Sequence, residues 1–232
     1  MKRTLAIFLL LALAVPAVVS AAQEETIKRR VKAWAAGQEW SLYGGYSVET
    51  FDSPVWQDVL GKDTQPMMRF GGGWYALPNF SVDFAIGGMY DKFEAVGTVS
   101  GQQSGEEVKL LVLPVEVGVR YRFRFLDNQL LVPSVFAGYD WWYFNENPKF
   151  GSVVEGNKTG WHYGADIGFL LDAIDPLAAH RMAQDWNVMD TYLCLGYEVL
   201  PMNAGGGLDF SGNLVTLSLR FDVGPERAHA KP

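Results

Sequence analysis

From Val115 to Phe125 every second residue is apolar: Val115, Val117, Val119, Tyr121, Phe123 and Phe125 alternate with Glu116, Gly118, Arg120, Arg122 and Arg124. A period of two puts successive side chains on opposite faces of an extended strand. Asp127-Asn128-Gln129 then supplies a turn, and a second strand of similar length returns to Phe144. In a sheet facing water the greasy face would be hidden and the charges exposed. Here the greasy face is wide and aromatic, while the charged face is narrow and Gly-rich. That combination predicts the inverse arrangement, with lipid outside and a polar lumen inside.

The rest of the chain repeats the pattern. The predicted strands are Trp40–Glu49, Met67–Leu77, a strand from Phe80 through Gly87, the two strands of the 110–144 hairpin, a strand from Trp161 through Phe169, Thr191–Pro201 and Leu214–Val223. These make an all-β fold, an eight-stranded antiparallel transmembrane β-barrel over residues 40–223, each strand near the ~9–11 residues that cross a bilayer when tilted. Connections alternate long and short, with long loops at 51–65, 94–107, 145–158 and 203–213. Short periplasmic turns and long outer loops are the rule for bacterial barrels, so these four loops are expected outside the cell and both termini in the periplasm. The third periplasmic connection, 172–190, departs from a simple turn. Asp175-Pro176 reads as a helix start, and Ala178, Met182, Trp186 and Met189 recur at helical spacing, predicting one short periplasmic helix against the barrel base or the membrane interface.

Residues 1–22 read as a secretory signal peptide: Met1-Lys2-Arg3, an apolar run from Leu5 to Val19, and a small-residue exit at Ser20-Ala21-Ala22. No cysteine directly follows that run, so no lipoprotein anchor is expected. Residues 23–39 are expected to be a periplasmic N-terminal segment, and 224–232 a polar C-terminal tail. A formal charge of −7 gives no basic field for nucleic acid. The one cysteine, Cys194, excludes an internal disulfide and any Cys-based metal cluster. Neither cofactor nor metal is expected.

With this topology the amphipathic rings fall into two belts, where one end of a ring can be wet while the other stays in hydrocarbon. Tyr46, Tyr90, Tyr139, Trp141, Tyr143, Trp161, Tyr163 and Tyr197 are expected at the outer rim. Trp40, Trp74, Phe80, Tyr121, Phe123, Phe125 and Phe221 are expected at the periplasmic rim. The lumen-facing set is Asp83, Glu116, Arg120, Arg122, Arg124, Asp140, His162, Asp166, Glu198, Arg220 and Asp222. Unpaired buried charges are costly, so this network should pair internally, with Glu116, Arg120 and Asp166 as its central cluster. Asp140 and His162 share the inward phase on either side of loop 145–158 and are expected as neighbours near the outer rim. An Asp–His pair is half of a hydrolytic relay, but no motif supplies a Ser or Thr nucleophile, so a satisfied core histidine is the reading. Gly71-Gly72-Gly73 and Gly205-Gly206-Gly207 lack the strand–turn–helix setting of a phosphate loop.

"LLVPSVFAGYDWWYF", "TGWHYGADIGFLLDAIDPLAA" and "DTYLCLGYEVL" resemble a family of small deltaproteobacterial outer-membrane β-barrel proteins over residues 110–223. The architecture is similar to the OmpA, OmpX and OmpW class. The resemblance implies a fold and a Gram-negative outer-membrane location, and it carries no activity, cofactor or site residue. Such barrels often end on an aromatic read by the assembly machinery, whereas Phe221 here is followed by further residues, so that signal is expected to be internal. The expected partners are outer-membrane lipid, lipopolysaccharide and the outer-membrane assembly machinery, with the barrel a monomer. No enzymatic step is expected. The expected role is surface-structural or binding, through the outer loops. The alternatives are OmpW-like passage of a small hydrophobic molecule, a lipid-modifying enzyme, and a soluble lipocalin-like barrel with apolar residues around a ligand cavity.

Overall fold

The structure is a computed structural model that describes residues 39–54, 56–57, 61–96, 103–126, 129–149, 152–202 and 209–224. Eight antiparallel strands pair in sequence order and close through β1–β8: β1 (Trp40–Phe51), β2 (Thr64–Leu77), β3 (Phe80–Val96), β4 (Gln103–Arg122), β5 (Leu131–Pro148), β6 (Val154–Leu170), β7 (Val188–Leu200) and β8 (Gly212–Val223). Closure pairs each strand with two neighbours through the barrel wall, as hydrocarbon requires, while β3 past Gly88 has no ladder partner in β2 and β6 before Tyr163 has none in β7. Trp40 pairs with Trp74 on one side and Val223 on the other, which fixes the closing seam.

The alternation read from the sequence becomes alternating burial. Along β4, Val108, Leu110, Val112, Glu116, Arg120 and Arg122 are buried while Lys109, Leu113, Val117, Val119 and Tyr121 are exposed. Leu42, Phe70, Phe84, Ile86, Leu195, Leu217 and Leu219 are also exposed. A contiguous apolar outer band of this extent is stable only against lipid. Among the described residues no helix is long and apolar enough to cross a membrane.

The strands are longer than the sequence pattern suggested, and the excess lies at one end. β3, β4, β5 and β6 have 17, 20, 18 and 17 residues against 12 in β1 and in β8. Most of 94–107 and 145–158, expected as loop, is therefore strand, with β3 reaching Val96, β4 starting at Gln103, β5 reaching Pro148 and β6 starting at Val154. At ~3.3 Å per residue and a tilt of about 45°, β4 rises ~47 Å, against an apolar band ~25 Å tall. These four strands project beyond the membrane at the end opposite the termini. The reason is physical. Below the rim, charges point in and apolar residues out. Above it water replaces lipid, so Glu107 and Lys109 point out while Val108 and Leu110 point in. The period is unchanged and the polarity inverts, which reads in a sequence as the end of a membrane strand.

Other boundaries shift less. β1 and β2 take in the ends of the 51–65 stretch, β7 starts at Val188, and β8 starts at Gly212, inside the 203–213 stretch. β4 ends at Arg122 and Phe123–Phe125 are irregular, held by the Phe123 amide donating to the Pro133 carbonyl at 2.8 Å. Asp127 and Asn128 of the expected turn lie outside the described residues, as do the signal peptide, the 23–39 segment except Glu39, the tail beyond Gly224, and Gly205-Gly206-Gly207. The short helix α1 spans Pro176–Trp186, and the Asp175 side chain caps it by accepting from the Ala178 amide at 2.9 Å. The expected packing face is corrected. Ala179, Met182 and Ala183 are half-buried, while Ala178 and Trp186 are exposed, and Met189 belongs to β7 because Asn187 ends the helix in the left-handed conformation.

Candidate functional site: the filled lumen

An eight-stranded barrel is just wide enough for its inward side chains to fill it, and here they do so in layers. Nearest the termini, Arg124 donates to Asp190 at 2.7 Å. Next, Arg122 grips Asp222 with two bonds of 2.7 Å, Tyr75 donates its hydroxyl to the same carboxylate at 3.0 Å, and the guanidinium lies over the Tyr75 ring. Above them Arg120 bonds Asp83 at 2.6 Å, Asp166, and Ser134 at 3.0 Å, and stacks on Phe136. Arg220 lies 3.9 Å from Asp83 and over the Tyr43 ring.

At mid-height, Arg69 bridges Glu198 at 2.8 Å and Glu116. The His162 Nδ1 lies at hydrogen-bond distance, 2.8 Å, from Asp140 and 4.0 Å from Glu198. Glu49, Glu116, Asp140 and Glu198 are all buried here. A cavity of about 60 Å³ runs between these two upper layers, lined by Tyr43, Arg69, Glu116, Arg120, His162 and Glu198 among others.

The eleven lumen residues expected from the sequence, among them Glu116, Arg120, Asp140, His162, Asp166, Glu198 and Arg220, are all drawn inward, but their grouping differs from the expectation. Arg120 and Asp166 meet, whereas Glu116 belongs to a separate layer whose cation is Arg69. Arg69, Tyr43 and Glu49 were missed. The signal for Arg69 was its inward parity on β2 with Gln65 and Met67, obscured by the glycines that follow. Asp140 and His162 are neighbours at mid-height rather than at the rim, because β5 and β6 both continue well past them. Among the described residues no Ser or Thr hydroxyl bonds His162, so the relay has no nucleophile beside it. Cys194 is buried with Val132, Leu170 and Tyr192.

Above the ionic layers the lumen turns mainly apolar, with Gln65 and Lys158 also buried there, against the sequence expectation. Met67, Met89, Leu110, Val112, Trp142 and Leu214 pack inward around Trp56 and Phe210, both fully buried. Trp56 stacks on Phe51 with centroids 3.7 Å apart and donates its indole N–H to the Asp209 carbonyl at 2.6 Å. Phe210 sits edge-on to Trp56 at 5.3 Å. Two connections, one between β1 and β2 and one between β7 and β8, thus fold into the barrel mouth.

On the outer wall, Trp40, Trp74, Tyr121, Tyr139, Trp141, Trp161 and Tyr163 are exposed and Phe123 is half-exposed. Tyr139 and Trp161 meet edge-to-face at 5.1 Å, as do Tyr121 and Phe123.

An apolar band outside, a charged interior and a closed wall of strands define a transmembrane β-barrel of the outer-membrane type. Residues 7–221 match the family model of the outer membrane protein beta-barrel domain, and the chain belongs to that family. It is an integral outer-membrane protein. Among solved structures it is similar to the outer membrane protein OprG from Pseudomonas aeruginosa, at 11% identity and a TM-score of 0.56, covering 81% of this chain and 96% of that one. It is also similar to Ail, the attachment invasion locus protein of Yersinia pestis, solved with the heparin analogue sucrose octasulfate, at 16% identity and a TM-score of 0.47, covering 80% of this chain and 97% of that one. At such identities the likeness to OprG is one of fold. No curated protein matches the chain. The resemblance read from the sequence therefore stands at the level of the outer-membrane barrel family.

Proposed function

We propose that this protein is a sealed barrel whose working surface is the projecting end, with a surface-structural or binding role and no enzymatic step. The observation that carries the reading is double closure of the lumen. Ion-paired layers fill the lower part, and the apolar packing around Trp56 and Phe210 fills the mouth. With the pore filled, the feature left to act is the sheet of β3–β6 that stands above the membrane. In this orientation both termini and α1 lie in the periplasm and the barrel is a monomer. Its partners are lipid and lipopolysaccharide against the aromatic belts, and the assembly machinery during insertion. Folded protein, identified by heat-modifiable gel mobility, should leave liposomes electrically silent, and surface-applied protease should cut only at the projecting end. Steady unitary conductance in the folded sample would overturn this reading.

A second reading, passage of a small hydrophobic molecule, is favoured by the apolar lining of the mouth. It requires Trp56 and Phe210 to swing out and the molecule to leave through the wall above the ionic layers. Uptake of an apolar dye by loaded vesicles, raised several-fold in Trp56→Ala, would support it over the sealed barrel.

A further inference from the structure

The ionic layers differ in charge balance. Arg124 matches Asp190, Arg122 matches Asp222, and Arg120 with Arg220 matches Asp83 with Asp166. The mid-height layer does not balance. It holds four buried carboxylates, Glu49, Glu116, Asp140 and Glu198, against Arg69. Lys158, buried farther out on β6 and itself engaged, leaves two negative charges in excess even if it is counted here. Inside a membrane barrel such an excess is strongly unfavourable unless something neutralises it.

The donor atoms there are arranged to receive a cation. One ligand atom each from Glu116, His162 and Glu198 lies within 4.8 Å of the others. Each glutamate gives one oxygen to Arg69, and the remaining oxygen of Glu198 has no hydrogen-bond partner among the described residues. Glu49 is fully buried with both carboxylate oxygens equally unpartnered, and its strongest electrostatic neighbours are Glu198, Arg69, Glu116 and Asp140. Asp140 holds His162 through Nδ1, which also lies 4.0 Å from Glu198, in the carboxylate–imidazole arrangement that orients a metal-ligating histidine; Nε2 is the ring nitrogen that Asp140 does not engage. The wall beside that ring is bare. A methyl group at Gly138 would stand 2.6 Å from Nε2, and one at Gly118 3.2 Å. The adjoining cavity of about 60 Å³ exceeds the ~10–15 Å³ that one water-sized occupant needs.

We propose that Glu116, His162 and Glu198 form a binding site for a divalent transition-metal cation, with Asp140 positioning the imidazole and Glu49 completing the charge. One imidazole with carboxylates suits Zn²⁺ or a neighbouring first-row dication rather than Mg²⁺ or Ca²⁺. Bonds of ~2.0–2.2 Å require the three donors to close by roughly an ångström, within the reach of glutamate rotamers beside a cavity. The ion supplies two of the positive charges the layer lacks, and ties β4, β6 and β7 together across the lumen.

The test uses the full mature chain, stripped with chelator, refolded in detergent or lipid with and without Zn²⁺ or Co²⁺, and checked for folding by heat-modifiable mobility. The expected result is one equivalent of metal per folded barrel, retained through a weak chelator wash. Visible bands of low-symmetry Co²⁺ and a raised thermal midpoint should accompany it. His162→Gln and Glu198→Gln should each weaken binding at least tenfold, and Asp140→Asn about 10–100-fold. Glu155→Gln, at the projecting end, should leave it unchanged. Because a lumen variant can fail to fold, ¹⁵N-histidine NMR of the unaltered chain gives a second reading: Zn²⁺ should shift the ring nitrogens of His162 and leave His180 in place. Absence of stoichiometric metal on the folded chain, or binding that leaves the His162 ring unmoved or persists in folded His162→Gln, would overturn the proposal and assign the neutralisation to protons.

Discussion

Replacing Arg122 with Met tests whether the lumen charges hold the barrel together or merely fill it. Asp222 is fully buried and receives two bonds of 2.7 Å from Arg122 and one of 3.0 Å from the Tyr75 hydroxyl. A hydrogen bond to a charged group contributes about 1.5–3 kcal/mol, so two such bonds set a gross scale of ~3–6 kcal/mol. Breaking a buried pair by removing one partner costs about 3–5 kcal/mol, chiefly because the remaining charge is left uncompensated. Tyr75 still serves Asp222, and Met fills most of the lost volume, so the expected loss is ~3 kcal/mol, at the lower end. Arg122→Met/Asp222→Leu removes both charges and should recover at least half of that loss, since a packed apolar pair often equals or exceeds a buried ion pair. The assay is reversible urea unfolding in short-chain lipid vesicles, followed by tryptophan fluorescence, with the midpoint compared at constant slope. An Arg122→Met midpoint within error of the unaltered chain would refute the reasoning, as would a double variant weaker than the sum of its singles.

Three further outcomes are expected. Trp56→Ala should cost ~3–5 kcal/mol or disorder the mouth, as truncation of a buried aromatic does, yet leave liposomes silent because the ionic layers stay closed; dye binding and conductance on one sample check both halves. Gly138→Ala should destabilise by about 1–3 kcal/mol or block folding, because the added methyl would meet the Val117 carbonyl oxygen at 2.4 Å and the His162 ring at 2.5 Å, with heat-modifiable mobility as the readout. Burial raises the Asp172 carboxyl, in the short turn before α1, above its ordinary value of 3.8, against the opposing bonds from Thr191. A raised folded value means the folded form holds the proton more tightly. The contribution is therefore full below about pH 3.8, lost as pH rises through the folded value, and flat above it. The urea-unfolding midpoint should rise on acidification across that window relative to the Asp172→Asn variant, which lacks this contribution.

The membrane-spanning wall was legible in the chain because its determinant is local. Alternation of Val115, Val117 and Val119 with Glu116 and Arg120 dictates which face meets lipid whatever the neighbours are, and Asp175-Pro176 marks the start of α1 in the same way. The inward set could likewise be read from parity alone. Partner choice could not. Glu116 goes to Arg69 rather than Arg120 because shear, fixed only when β1 meets β8, decides which inward residues share a height. Closure also brings Glu49, Asp140, His162 and Glu198 from four different strands into one layer, and no spacing along the chain encodes that meeting. The height of β3–β6 and the Trp56–Phe210 packing were hidden for a related reason. A strand keeps its period when it leaves the membrane, while the solvent outside it changes from lipid to water, and the sequence does not say where the bilayer ends. Sequence determined the faces of each strand; the closed barrel decided which faces meet, because depth in a cylinder is a property of all eight strands together.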